Sequence, residues 1–160
     1  MLMVTLVIIY DSKTGNTEKM AESIAEGANS VSGATVLLKK IGTPFSLRIL
    51  DGADAVILGS PAHYAHVTPE MRSFLESLRE EMAAGRLGLK GKAGAAFGSY
   101  GWDGGVAIER LARDMEDLGI RARSHVLAKG PPLPYSSQKK EFLRQCQEFG
   151  KTLAEEISKR

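Results

Sequence analysis

Short, wholly apolar runs alternate with longer stretches of helical periodicity along the chain. Thr5–Tyr10 (TLVIIY) is continuous, apolar and rich in β-branched residues, which marks a strand buried on both faces. Asp11–Gly15 breaks that run. From Asn16 onward Met20, Ala21, Ile24, Ala25 and Ala28 recur at helical spacing, until Ser30–Gly33 stops the helix. Ala34–Ile41 (ATVLLKKI) predicts a second, less buried strand, and Thr43-Pro44 opens a loop toward Gly52. Ala53–Leu58 (ADAVIL) predicts the third strand, closed by Gly59-Ser60-Pro61. Thr68-Pro69 supplies a hydroxyl N-cap and a first-turn proline to a helix with Met71, Phe74, Leu75, Leu78 and Met82 on one face.

Lys92–Phe97 (KAGAAF) is a strand of small residues, which suits a central position with helices pressed close on both sides. A glycine-rich loop, Gly98–Gly105, leads into a helix over Val106–Leu118. Arg121–Leu127 (RARSHVL) alternates enough to predict a fifth strand at an edge, and Pro131–Pro134 a stiff turn. A last helix, Ser137–Lys159, is expected to bury Phe142, Cys146, Phe149, Leu153 and Ile157. Strands and helices alternating at this spacing imply right-handed crossovers and a parallel sheet covered on both faces. Ligands of such folds lie outside the carboxyl ends of the strands. Three loops leave those ends with unusual chemistry: Asp11–Thr17, Gly59–His66 and Gly98–Gly105.

Composition narrows the choice of function. The 160 residues suit one domain over 1–160, and 43% hydrophobic with 25% charged residues excludes a disordered chain. No apolar run approaches the roughly 20 residues of a membrane span. Met1–Tyr10 lacks a basic lead-in and a small-residue cleavage site, so a cytoplasmic location is expected over export. A net charge of +2, evenly spread, argues against nucleic acid as a partner. The single cysteine, Cys146, excludes an internal disulfide and multi-cysteine metal sites, and its place on an apolar stripe predicts a buried, inert thiol. Eight of the 17 glycines fall between Gly85 and Gly105, where close backbone approach or positive φ is expected.

The first loop, Ser12-Lys13-Thr14-Gly15-Asn16-Thr17, joins a buried strand directly to a helix N-terminus, where free N–H groups and the helix dipole favour an anion. Three hydroxyls and one amide cluster around Gly15, more than a turn needs for a cap. Lys13 is expected to contribute its backbone N–H rather than its ammonium. A dinucleotide fingerprint and a Walker-type loop both require glycines that this turn lacks. A receiver domain would need an acceptor aspartate after the third strand, where Gly59-Ser60 stands. In the third loop, the only tryptophan, Trp102, lies among glycines with Tyr100 close by, and an exposed Trp calls for a flat partner such as a bound aromatic ring.

Ser12–Thr17 after one strand, and Gly98-Ser99-Tyr100-Gly101-Trp102 after the fourth, together resemble the flavodoxin family, and the resemblance covers essentially the whole chain. It implies a flavodoxin-like α/β fold: a doubly wound five-stranded parallel sheet of order 2-1-3-4-5, of the short-chain type, with one non-covalent FMN. Residue by residue it implies a phosphate site at Ser12, Lys13, Thr14, Gly15, Asn16 and Thr17. Trp102 would stack on the outer flavin face, and backbone from Ser99, Tyr100, Gly101, Gly104 and Gly105 would meet the pyrimidine edge. The second loop, Ser60, Pro61, Ala62, His63 and Tyr64, would contact the ring.

Many flavodoxins carry a glycine near the position of Tyr64, which lets a peptide flip toward flavin N5 in the one-electron-reduced state. This chain has no glycine between Gly59 and Gly85. A bulky residue resists positive φ by roughly 1–2 kcal/mol, so Tyr64 is expected to hinder the flip and narrow the gap between the two one-electron couples.

Gly59-Ser60-Pro61 followed by His63-Tyr64, and then Pro69–Leu75, is also similar to flavodoxin-like NAD(P)H:quinone reductases and to flavodoxin domains of multidomain flavoproteins. The resemblance therefore implies an electron carrier serving redox partner proteins (reductases and ferredoxin-linked enzymes). The alternatives are an FMN-dependent NAD(P)H:quinone reductase and a flavin-free binding module of the same fold. No catalytic triad or general base can be named. No metal is expected: His63 and His66 have only Glu70 nearby as a third ligand. Asp11 and Asp103 suit turn or cap roles as well as tuning of flavin charge, Tyr10 reads as a strand-end core residue and His125 as structural. Oligomeric state stays open.

Overall fold

Apolar runs become strands here because both faces of the sheet are covered. A computed structural model describes residues 3–101, 103–130 and 137–159. In chain order the elements are β1 (Val4–Tyr10), α1 (Asn16–Asn29), β2 (Ala34–Lys40), a short 3-10 turn (Leu47–Leu50), β3 (Ala55–Gly59), α2 (Pro69–Ala83), β4 (Ala93–Ser99), α3 (Val106–Asp117), β5 (Val126–Lys129) and α4 (Ser137–Ser158). The five strands form one sheet of order β2-β1-β3-β4-β5, every neighbouring pair parallel. That is the expected topology.

Alternate residues of each strand feed two cores. Val7, Ile9, Val56, Leu58 and Ala96 pack with Met71, Leu75 and Leu78 of α2 and with Ile108, Leu111 and Met115 of α3. Leu6, Ile8, Ile57, Ala95 and Phe97 face Met20 and Ile24 of α1 and Cys146 and Leu153 of α4. The α1–α4 contact is close because it is built on glycine. A Cβ on Gly27 would lie 1.9 Å from the Gln147 carbonyl oxygen, and one on Gly150 would lie 2.0 Å from that of Ile24.

The structure corrects the fifth strand. Its expected span, Arg121–Leu127, is displaced to Val126–Lys129, and only an isolated bridge from Arg121 to Ala93 survives of the earlier part. The cause is local: Oε1 of Glu116 accepts the N–H groups of Ala122 and Arg123, and His125 N–H closes a turn on Ala122. Phe149 is half-buried rather than buried, whereas Cys146 is fully enclosed. The expected turn at Pro131–Pro134 lies outside the described residues. None of the helices, among the described residues, is long and apolar enough to cross a membrane.

Candidate functional site

The carboxyl ends of β1, β3 and β4 bring the three loops together, and side chains of the loops tie them. Asp11, only 3% exposed, ends β1. Its Oδ1 accepts the Ser12 N–H at 2.9 Å and its Oδ2 accepts the Thr68 hydroxyl at 2.6 Å. Thr68 in turn caps α2, its Oγ1 accepting the Met71 N–H at 3.2 Å. One threonine thus fastens the first loop to the start of α2. Thr17, 1% exposed, reaches across to Ser99, with 3.1 Å between the two hydroxyl oxygens. The Ser99 carbonyl accepts the Ala62 N–H at 2.8 Å, which joins the second and third loops. Gly98 makes that junction sterically possible, since a Cβ there would stand 2.0 Å from the Ser60 carbonyl oxygen.

In the first loop Gly15 adopts φ 93 and precedes α1. The Ser12 oxygen accepts two N–H groups, those of Gly15 and Glu18, each at 3.2 Å. The backbone N–H groups of Lys13, Thr14, Asn16 and Thr17 have no acceptor among the described residues. Those donors, with the hydroxyl protons of Ser12 and Thr14 and the Asn16 amide, form a set that fits a phosphate. The Lys13 ammonium turns away from it. It meets Glu70 at 2.7 Å and Asp11 at 3.6 Å. The Glu70 hydrogen bond raises the lysine above its ordinary pKa, and the same bond holds the Glu70 carboxyl below the usual range. Tyr10 is buried at the strand end as expected, and its hydroxyl donates to Glu18 at 2.8 Å. Burial first, then Glu18, pushes that phenol upward.

The second loop departs from expectation. His63 and His66 exchange two backbone hydrogen bonds, of 2.6 and 3.0 Å, across a two-residue turn. The central residues Tyr64 and Ala65 adopt φ 51 and φ 63. Two-residue hairpins favour positive φ at both central positions because that twist matches the flanking strands. Tyr64 therefore already occupies the left-handed region, so its bulk does not exclude that conformation. The residue is 76% exposed, and its ring stands edge-on to His63, with 4.9 Å between centroids. From α3, Arg110 donates to the Ala65 carbonyl at 3.0 Å and lies 3.4 Å from His66 Nδ1. Nothing in the local sequence signals this clamp, because the partners are 45 and 44 positions apart.

In the third loop Asp103 takes the cap role, accepting the N–H groups of Gly105 at 2.9 Å and Ala107 at 3.0 Å. Gly104 and Gly105 adopt φ 69 and φ 98. The Tyr100 N–H donates to the Lys129 carbonyl at 3.0 Å, which ties this loop to β5. Trp102 lies outside the described residues. Ser12, Lys13, Thr14, Gly15, Asn16, Thr17, Ser60, Pro61, Ala62, His63, Tyr64, Ser99, Tyr100, Gly101, Gly104 and Gly105 all belong to these three loops or the strand ends that lead into them. A hollow of about 470 Å3 opens at the opposite end of the sheet, beside Asp54 and Lys92. Two of its polar groups are engaged within the fold: Asp54 accepts the Thr5 N–H, and the Lys92 ammonium donates to the carbonyls of Asp51 and Ala53.

The family model for flavodoxin matches residues 8–142. The chain belongs to the flavodoxin family. A flavodoxin of Aquifex aeolicus is 30% identical over 96% of this chain and 86% of its own length. A putative diflavin flavoprotein of Nostoc is also 30% identical, but this chain spans only 25% of it. Among solved structures, a flavodoxin from the domain Archaea superposes with a TM-score of 0.78 at 28% identity, over 96% of this chain and 99% of that one. The two-electron-reduced flavodoxin of Megasphaera elsdenii gives 0.73 at 26% identity, over 94% and 98%. The cofactor of the family is FMN, and the first loop fits its phosphate.

Proposed function

We propose that this flavodoxin is a single-domain electron carrier over residues 1–160, holding one FMN without a covalent bond. Bound FMN supplies the redox chemistry, accepting and releasing electrons, and the protein controls access to it. The observation that carries the reading is the first loop, with four backbone donors that lack acceptors among the described residues and three small polar side chains at a helix N-terminus. The side chains of Ser12, Thr14 and Asn16 and the backbone N–H groups of Lys13, Thr14, Asn16 and Thr17 hold the phosphate, and Gly15, at φ 93, bends the loop around it. Ser60–Tyr64 and Ser99–Gly105 border the ring system, Trp102 covers its outer face, and the Thr17–Ser99 and Ala62–Ser99 bonds keep the three loops in register. Redox partner proteins, reductases on one side and ferredoxin-linked enzymes on the other, exchange electrons with it in the cytoplasm.

Two assays test this reading. The FMN-loaded chain, mixed with NADH or NADPH and a quinone, is expected to show negligible turnover until a flavodoxin reductase is added. Turnover by the chain alone at about 1–100 per second, the ordinary enzymatic range, would establish the quinone reductase instead. For Trp102, indole emission is expected to be quenched when FMN is added to the flavin-free chain. Unchanged emission would remove Trp102 from the flavin face.

A further inference from the structure

The loops occupy one end of the sheet, and the charge at one flank of that end is lopsided. Lys19 lies in the first turn of α1, Lys139 and Lys140 in the first turn of α4, and Lys129 ends β5. None of the four pairs with a carboxylate among the described residues. The sequence between Lys129 and Lys139 holds no Asp or Glu, and the first turn of α4 holds no acidic residue. Three carboxylates lie on this flank. Glu18 accepts from the Tyr10 hydroxyl and pairs with Lys40 at 3.4 Å, and Glu141 pairs with Arg144 at 2.6 Å while also feeling the charge of Lys129. Glu22, exposed, sits a turn further along α1 and acts on Tyr10.

This placement works against the fold itself. Cations in the first turn of a helix oppose its dipole, and here three of them stand at two adjacent helix starts. Lys19 and Lys139 face each other closely enough that Lys19 holds Lys139 below the ordinary lysine range. A flavin phosphate on the first loop offsets part of the field near Lys19. Lys129 and Lys140 belong to other elements.

We infer that the flank formed by Lys19, Lys129, Lys139 and Lys140, beside the cofactor loops, is the docking surface for a one-electron redox protein whose own cofactor edge is rimmed by carboxylates. The inference rests on the carrier reading above and names the charge of the partner that reading requires. Opposite charge around two facing cofactor edges speeds encounter and fixes orientation, and its effect weakens as salt shortens the Debye length from about 30 Å at 10 mM to below 8 Å above physiological strength.

The probe is one haem protein in two charge forms: native cytochrome c, which is basic, and cytochrome c succinylated on its lysines, which presents carboxylates. The FMN-loaded full chain is reduced with dithionite, freed of excess reductant and mixed with each form in a stopped-flow instrument. Each encounter passes one electron, so two ferric haems become ferrous as one fully reduced FMN returns to the oxidised state and its protons pass to solvent. The succinylated form is expected to react faster, with a rate that falls about tenfold between 10 and 300 mM ionic strength. The native form is expected to show a flat or rising rate. Calorimetry of the oxidised, FMN-loaded chain with the two ferric forms at 10 mM ionic strength is expected to rank them the same way.

The triple variant K19E/K139E/K140E, with flavin content fixed by absorbance before mixing, is expected to lose the salt dependence. A faster reaction with native cytochrome c that slows with salt would overturn the docking surface and leave the carrier reading standing. The same holds if the triple variant keeps the wild-type salt dependence. Failure to reduce either form would overturn the carrier reading and the docking surface together.

Discussion

At the scale of single residues, the least expected feature is the pair Tyr64 and Ala65, both at positive φ without glycine. Left-handed backbone costs an L-residue about 1–2 kcal/mol, and Gly gives part of that back through its looser unfolded chain. Ala65→Gly is therefore expected to raise the unfolding free energy by up to about 1 kcal/mol in urea titration. Ala65→Pro, whose ring fixes φ near −65°, is expected to lower it by more than about 2 kcal/mol, because the turn must open. Equal stability of the two variants would mean that the turn is not held as described. Cys146 gives a second test. Burial pushes its thiol up to about 11, and the side chain is fully enclosed. A thiol reagent at about pH 8 is expected to leave the native protein unlabelled and to react once it is unfolded, since the thiolate is the reactive form and burial denies access. Fast labelling of the native chain would contradict the packing of α4.

At the scale of elements, Thr68 links three things: the end of β1, the first loop and the start of α2. Thr68→Val removes the cap of α2, worth about 0.5–2 kcal/mol, and strips the buried Asp11 of a donor, at about 1–3 kcal/mol more. A loss of about 2–4 kcal/mol is expected in denaturant titration, with Thr68→Ser close to the native value. A Thr68→Val protein as stable as the native one would show that the Asp11–Thr68 bond does not bind these elements together. The α1–α4 packing yields a complementary expectation. Gly150→Ala places a methyl within reach of the Ile24 carbonyl and is expected to cost about 1–3 kcal/mol by overpacking, lowering the melting temperature. An unchanged melting temperature would mean the helices can part without loss.

At the scale of the whole molecule, the sheet was legible in the sequence because a parallel strand covered on both faces leaves a continuous apolar run, as in Thr5–Tyr10 and Ala53–Leu58. Order and cofactor followed from the resemblance carried by Ser12–Thr17 and Gly98–Trp102. Legibility failed where structure depends on distant partners. The fifth strand slid to Val126–Lys129 because Glu116 captures two backbone N–H groups on the approach to it. The second-loop turn carries no Asn or Gly to announce positive φ, and its clamp, Arg110, comes from another helix. The bond from Asp11 to Thr68 spans 57 positions, so neither residue's neighbours reveal it.

Flavin affinity tests the first loop as a phosphate site most directly. FMN and riboflavin share the ring system and the ribityl chain, and only FMN brings a phosphate to Ser12–Thr17. Hydrogen bonds to a charged group contribute about 1.5–3 kcal/mol each, so losing several of them weakens binding by about a hundredfold or more. Titration of the flavin-free chain, followed by flavin fluorescence, is expected to give FMN a dissociation constant lower than that of riboflavin by at least that factor. Equal affinities for the two flavins would contradict the account.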